Sequence, residues 1–122
     1  GLSYSEITYG DPVISCNELN GDDTVTVSVD VTNVSGRSAV EVVQLYIHDL
    51  FASITRPVSE LRGFRRITLE AGQTQNVTFE INAGTLGFYN ADLDFVTEPG
   101  EFDIKIGPNS RDTKTVKLIY SE

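Results

Sequence analysis

The chain of 122 residues has no methionine, no tryptophan, one cysteine and one histidine. Each scarcity removes a class of function. A complete translation product opens on methionine and this chain opens on Gly1, so a processed chain or a piece of a longer one is expected. Cys16 alone closes no internal disulfide and leaves the redox compartment open. One Cys and one His fall short of the three or four nitrogen and sulfur ligands that zinc takes. Nine Lys+Arg stand against 18 Asp+Glu, a net charge of −9. Nucleic acid and an anionic membrane are therefore not expected partners, because both demand clustered cations. Arg62, Arg65 and Arg66 lie close together, but three cations make a weak patch in an acidic chain. No apolar run approaches the ~18 residues of a membrane span, and no signal peptide is visible.

What the chain has in abundance is alternation. Val25, Val27, Val29 and Val31 alternate with Thr26, Ser28, Asp30 and Thr32, the period of a half-buried strand. Val43, Leu45 and Ile47 share one face of a second run, with Val42, Gln44, Tyr46 and His48 on the other, as in a central strand partly covered on both sides. Val77, Phe79 and Ile81 repeat the pattern, followed by Phe102, Ile104 and Ile106, then Val116, Leu118 and Tyr120. Weaker candidates span 4–9 and 58–69 and surround Phe88 and Phe95. Turn residues separate the runs, among them Asn20-Gly21, Ser35-Gly36, Ala71-Gly72, Pro99-Gly100 and Gly107-Pro108. Asn82-Ala83-Gly84-Thr85-Leu86 allows one helical turn capped by Asn82. The expectation is an all-β antiparallel sandwich of about 7–9 strands, with a small closed barrel as the alternative. No repeat or linker interrupts the chain, so one domain over 1–122 is expected.

The long connection at 49–57 carries Leu50, Phe51 and Ile54, which a solvated loop does not favour, and Pro57 pins Arg56 toward extended geometry. Such a loop either folds over its own sandwich or docks on another domain. Little in the sequence supports catalysis. His48 has Asp49 and Ser53 nearby in sequence, but no nucleophile-elbow motif accompanies them, and capping a strand end is the plainer role. Asn90-Ala91-Asp92-Leu93-Asp94 alternates oxygen-bearing residues like the start of a calcium loop, yet lacks the Gly and Glu that complete one; a hairpin turn explains it as well. Tyr9, Tyr46, Phe51 and Tyr89 are candidate sugar-contact platforms, against a core-packing alternative. Two sequons, Asn33-Val34-Ser35 and Asn76-Val77-Thr78, permit N-glycosylation in a eukaryotic secretory pathway. No catalytic residue, cofactor-binding residue or metal ligand is nominated.

An ordered series of motifs then runs through nearly the whole chain. It comprises Gly1-Leu2-Ser3-Tyr4-Ser5, Val31-Thr32-Asn33 with Ser35-Gly36, Val42-Val43-Gln44-Leu45-Tyr46, and Asp49 through Ala52-Ser53 to Arg56-Pro57. Leu61-Arg62-Gly63-Phe64, Leu69-Glu70-Ala71-Gly72-Gln73, Pro99-Gly100-Glu101-Phe102 and Ile106-Gly107 through Ser110-Arg111-Asp112 complete it. The series resembles the C-terminal fibronectin type III-like domain of glycoside hydrolase family 3 enzymes, the β-glucosidases and β-xylosidases. It departs from the family pattern by Arg for Lys at Arg62, and at Ala71 and Gln73 in a turn. The resemblance implies a fibronectin type III-like sandwich in a parent that cleaves terminal, mostly β-linked sugars with retention, through a nucleophile Asp and an acid/base Glu outside this chain. It also favours a periplasmic or extracellular setting, with the cytoplasm of some bacteria as the alternative, and no cofactor is expected. On this reading Asp49, Leu50, Phe51, Ser53, Ile54, Arg56 and Pro57 dock on the catalytic domains of the same parent chain. The alternatives are a module that binds polysaccharide and an adhesion or scaffolding immunoglobulin-like domain, because fold alone supports all three.

Overall fold

A computed structural model describes residues 6–21, 23–49, 60–89, 92–97, 99–109 and 111–121. Among these, eleven strands and one helical turn follow in order: β1 (Ile7–Tyr9), β2 (Val13–Ile14), β3 (Glu18–Asn20), β4 (Val25–Asn33), β5 (Ala39–Asp49), β6 (Glu60–Leu69), β7 (Thr74–Ile81), α1 (Ala83–Leu86), β8 (Phe88–Tyr89), β9 (Phe95–Val96), β10 (Gly100–Gly107) and β11 (Lys114–Ser121). The fold is the expected all-β sandwich. In one sheet β4 is flanked by β7 and, along its other edge, by β1 and β2; the second sheet runs β3-β11-β10-β5-β6. Nine strands thus form the two layers, and β8 with β9 makes a separate ribbon. Pairing is antiparallel except between β3 and β11, which run parallel.

The alternating residues explain the layers. Val25, Val27, Val29 and Val31 of β4 and Val77, Phe79 and Ile81 of β7 point inward from the four-stranded sheet. Val43, Leu45, Ile47, Phe102, Ile104, Ile106, Leu118 and Tyr120 meet them from the five-stranded sheet, and all are buried. Full burial of a side chain of this size contributes roughly 1.5–3 kcal/mol, so the facing rows dominate stability. β1 and β2 are one edge strand interrupted by a bulge: Tyr9 faces Val31 but Val13 faces Ser28, so residues 10–12 oppose 29–30. Pro12, which has no amide hydrogen, occupies that interruption, as edge-strand prolines do.

Two crossovers join the layers side by side, β4 to β5 through 34–38 and β6 to β7 through 70–73. Asn33 ties both, and it is completely buried. Its Nδ2 donates to the carbonyls of Arg37 (2.8 Å) and Leu69 (3.1 Å), while its Oδ1 accepts from the amide of Ser35 (2.9 Å) and from the Ser35 hydroxyl (2.7 Å). The Gly72 amide donates to the Asn33 carbonyl, with Gly72 at φ 74° in the left-handed region that favours glycine. The hairpin from β10 to β11 has its own constraint. A side chain at Gly107 would lie 2.4 Å from the Asp112 carbonyl oxygen, so the backbones approach too closely for any other residue.

Candidate functional site

The outer faces of the two sheets differ in chemistry. On the four-stranded sheet, Thr26, Ser28, Asp30 and Thr32 of β4 lie beside Thr74, Asn76, Thr78 and Glu80 of β7. These small polar groups bond to one another, as in Thr32 to Thr74 and Asn76 to Asp30. The large exposed apolar side chain there is Val13 on β2. On the five-stranded sheet, β5 and β6 present Val40, Val42, Leu61 and Phe64, all exposed, and Phe64 is 61% exposed. Tyr46, half-buried, continues this strip and donates to Gln44. Register places Val42 beside Arg66, Gln44 beside Phe64, and Tyr46 between Leu61 on β6 and Lys105 on β10.

A bulge builds the strip. Leu45 pairs with Gly63 and Tyr46 pairs with Leu61, so Arg62 has no partner on β5. In a regular strand Leu61 and Phe64, three residues apart, would face opposite ways. The extra residue puts both on the outer face. Arg62 is held by an ion pair to Glu60 at 2.8 Å, and burial pulls its guanidinium below its ordinary pKa. Arg65 points the other way and covers the Phe79 ring, 4.9 Å from its centroid.

Next along the same outer face, His48, Asp103 and Lys117 stand in a row on β5, β10 and β11. Lys117 Nζ lies 2.7 Å from one Asp103 oxygen and His48 Nδ1 4.0 Å from the other. His48 is thus inside the ladder next to a carboxylate, not a cap beyond the strand. The described residues contain no group of three or more His, Cys, Asp and Glu side chains placed to hold a metal ion.

Of the residues nominated for sugar contact, Tyr9 and Tyr46 lie on different faces. Tyr9 turns into the gap between the sheets, packs on the core and donates to Glu41 Oε2 at 2.6 Å. Burial, then the bond to Glu41 and its charge, push this phenol well above its ordinary pKa. Tyr46 lies on the outer face described above. Tyr89 pairs with Phe95 in the ribbon, and Phe51 lies outside the described residues. Of the docking nominees, Asp49 ends β5, opposite Phe102, while Leu50, Phe51, Ser53, Ile54, Arg56 and Pro57 lie outside the described residues. In the oxygen-rich segment Asp92 and Asp94 are exposed beside Leu93, at φ 62°, and Asn90 and Ala91 lie outside the described residues. The sequons part company: Asn76 is exposed, whereas the buried Asn33 has its amide nitrogen committed to two carbonyls, so an Asn33 glycan is incompatible with this fold. Cys16 is exposed. A depression of about 320 Å³ by Glu6, Asn33 and Arg37 marks the crossover end.

The model of one protein family, the fibronectin type III-like domain, matches residues 41–110, more than half of the chain. The chain belongs to that family. The fibronectin type III-like domain is 43% identical over 120 residues to a β-xylosidase of Formosa agariphila, covering 97% of this chain and 17% of that protein. It is 40% identical over 114 residues to a periplasmic β-glucosidase of Salmonella typhimurium, covering 93% of this chain and 15% of that protein. Among solved structures, a β-glucosidase from Listeria innocua in complex with gluconolactone superposes with a TM-score of 0.88 at 36% identity, over 100% of this chain and 17% of the other. The motif resemblance to the domain carried by glycoside hydrolase family 3 β-glucosidases and β-xylosidases is borne out over nearly the whole chain. The domain spans 15–17% of the length of these relatives, which are multidomain chains.

Val42 and Tyr46 are legible in the sequence as the second face of β5, but the strip they belong to is not. Its signal was the Leu61-Arg62-Gly63-Phe64 motif itself, since two large apolar residues three apart on a strand are reconciled by a bulge.

Proposed function

We propose that the fibronectin type III-like domain, 1–122 as one unit, is a non-catalytic accessory domain of a β-glucosidase- or β-xylosidase-type hydrolase. It stabilises or positions the domains of the parent chain that hold the reacting carboxylates. One observation carries this reading: the relatives named for hydrolysis match nearly all of this chain with only 15–17% of their own length. The long connection 49–57, which leaves the end of β5 and returns at β6, is proposed as one docking element, with Phe51 and Ile54 as apolar anchors and Arg56 as a charge-assisted donor. The test removes the domain from the full-length enzyme. The expected result is a lower melting temperature and loss of nitrophenyl glycoside turnover in the remainder, with no turnover by the 122-residue chain alone. Turnover by that chain, lost when one of its carboxylates is neutralised, would overturn the reading.

A further inference from the structure

An apolar strip on an otherwise acidic domain demands an explanation. Among the described residues, the pairing of β5 with β6 puts Val40, Val42, Leu61 and Phe64 on one outer face, with Leu61 beside Tyr46, and each of the four is at least 38% exposed. The opposite outer face, built from the same kinds of strand, is hydroxyl, amide and carboxylate apart from Val13. Solvent therefore accounts for one face and not the other. The charges directly beside the strip are cationic: Arg66 stands beside Val42 and Lys105 beside Tyr46, while the carboxylates of this face, Glu101 and Asp103, lie farther along β10 near Lys117. The four-stranded face carries Asp30 and Glu80.

Resting on the accessory-domain reading, we infer that the outer face of β5 and β6, centred on Leu61 and Phe64, is the surface on which the larger remainder of the same glycosidase chain sits, through an apolar patch with an acidic rim. Length and area select this occupant. In the relatives the domain is 15–17% of a single chain, so its neighbours are tethered to it. Tethering holds a neighbour at an effective concentration of roughly millimolar, at which a modest patch suffices. A second copy, arriving from dilute solution, needs about 800 Å² on each partner, more than four side chains on two strands supply. The cationic rim favours an acidic surface opposite and disfavours a second copy, which would bring Arg66 and Lys105 against their own kind.

Hydroxyl-radical footprinting and thermal melting of the full-length glycosidase test the assignment. Leu61 and Phe64 are expected to escape modification, while Leu93, 80% exposed, and Val13, 65% exposed, are modified. Phe64→Glu, at an exposed position that leaves the core intact, is expected to lower the melting temperature by several degrees, and Val13→Glu to leave it unchanged. Modification of Phe64 as fast as Val13 once each rate is scaled by the side chain's intrinsic reactivity toward hydroxyl radical, or a neutral Phe64→Glu, overturns the assignment. If deleting the whole domain destabilises the enzyme while Phe64→Glu does not, the accessory reading stands and this face is wrong. If deletion itself changes nothing, the accessory reading has failed first. Protection of Phe64 that depends on protein concentration identifies a second copy, and protection that appears only with insoluble polysaccharide identifies a glycan surface; either overturns the tethered partner.

Discussion

Asn33 shows how much of this fold hangs on one side chain. It is the buried polar residue among the described ones, and all of its hydrogen-bonding capacity is used. The geometry explains why an amide is required. Two carbonyls need donors and a serine needs an acceptor, and Asn alone among side chains of this size offers both. Removing it leaves the Leu69 carbonyl buried without its partner, and each such group costs about 1–3 kcal/mol. Asn33→Ala is therefore expected to destabilise the domain by about 2–4 kcal/mol, read from the urea midpoint at unchanged slope. Asn33→Asp is expected to be no better, because a carboxylate turns acceptors toward the two carbonyls. A midpoint within error of the parent in Asn33→Ala would refute the claim that this residue ties the crossovers.

At the scale of elements, α1 is a helix of four residues that exists because of its cap. Asn82 Oδ1 accepts from the Thr85 amide at 3.1 Å, and the Asn82 amide donates to Thr85 Oγ1 at 3.3 Å. Loss of an N-cap asparagine costs typically ~1 kcal/mol, and a single turn has no propagation energy to offset it. Asn82→Ala is expected to lose about that much and Asn82→Asp to retain most of it, in paired urea titrations; equal loss in both would mean that packing of Leu86, not capping, holds the turn. This turn was legible in the sequence because capping chemistry is local. So were β4, β5, β7, β10 and β11, whose inward rows are long enough to show period two. β2 and β3, of two and three residues, have no room for a period and exist only through partners distant in sequence, Val27 to Ser28 for one and Ile119 to Ser121 for the other. The parallel direction of β3 was hidden for the same reason. The outer strip was illegible for a different cause: a bulge breaks the alternation that pattern reading assumes. The long connection was marked by its apolar composition, and most of its nominated residues fall outside those described.

On the scale of the whole molecule, the surplus of acid is a property to be tested as physics. With 9 Lys+Arg for 18 Asp+Glu, at least half of the carboxylates have no cation of their own when pairs are counted one to one. Among the described residues Lys114 with Asp11 at 3.4 Å is an exposed pair, and exposed pairs contribute little. Among the described residues Lys117 with Asp103 and Arg62 with Glu60 are the tighter contacts. Two terms then compete when salt is added. Screening weakens these few attractions, and it also weakens repulsion among the unpaired carboxylates spread over the surface. Repulsion has more members and longer range, so it is the term that salt relieves most. The melting temperature of the domain is expected to rise between about 10 and 300 mM sodium chloride, as the screening length shrinks from roughly 30 Å to under 8 Å. Lys117→Ala, which raises the acid surplus, is expected to steepen that rise. A melting temperature that falls with sodium chloride would mean that the paired cations outweigh the surplus, and that the acidic surface is held together by its few bridges rather than strained by its net charge.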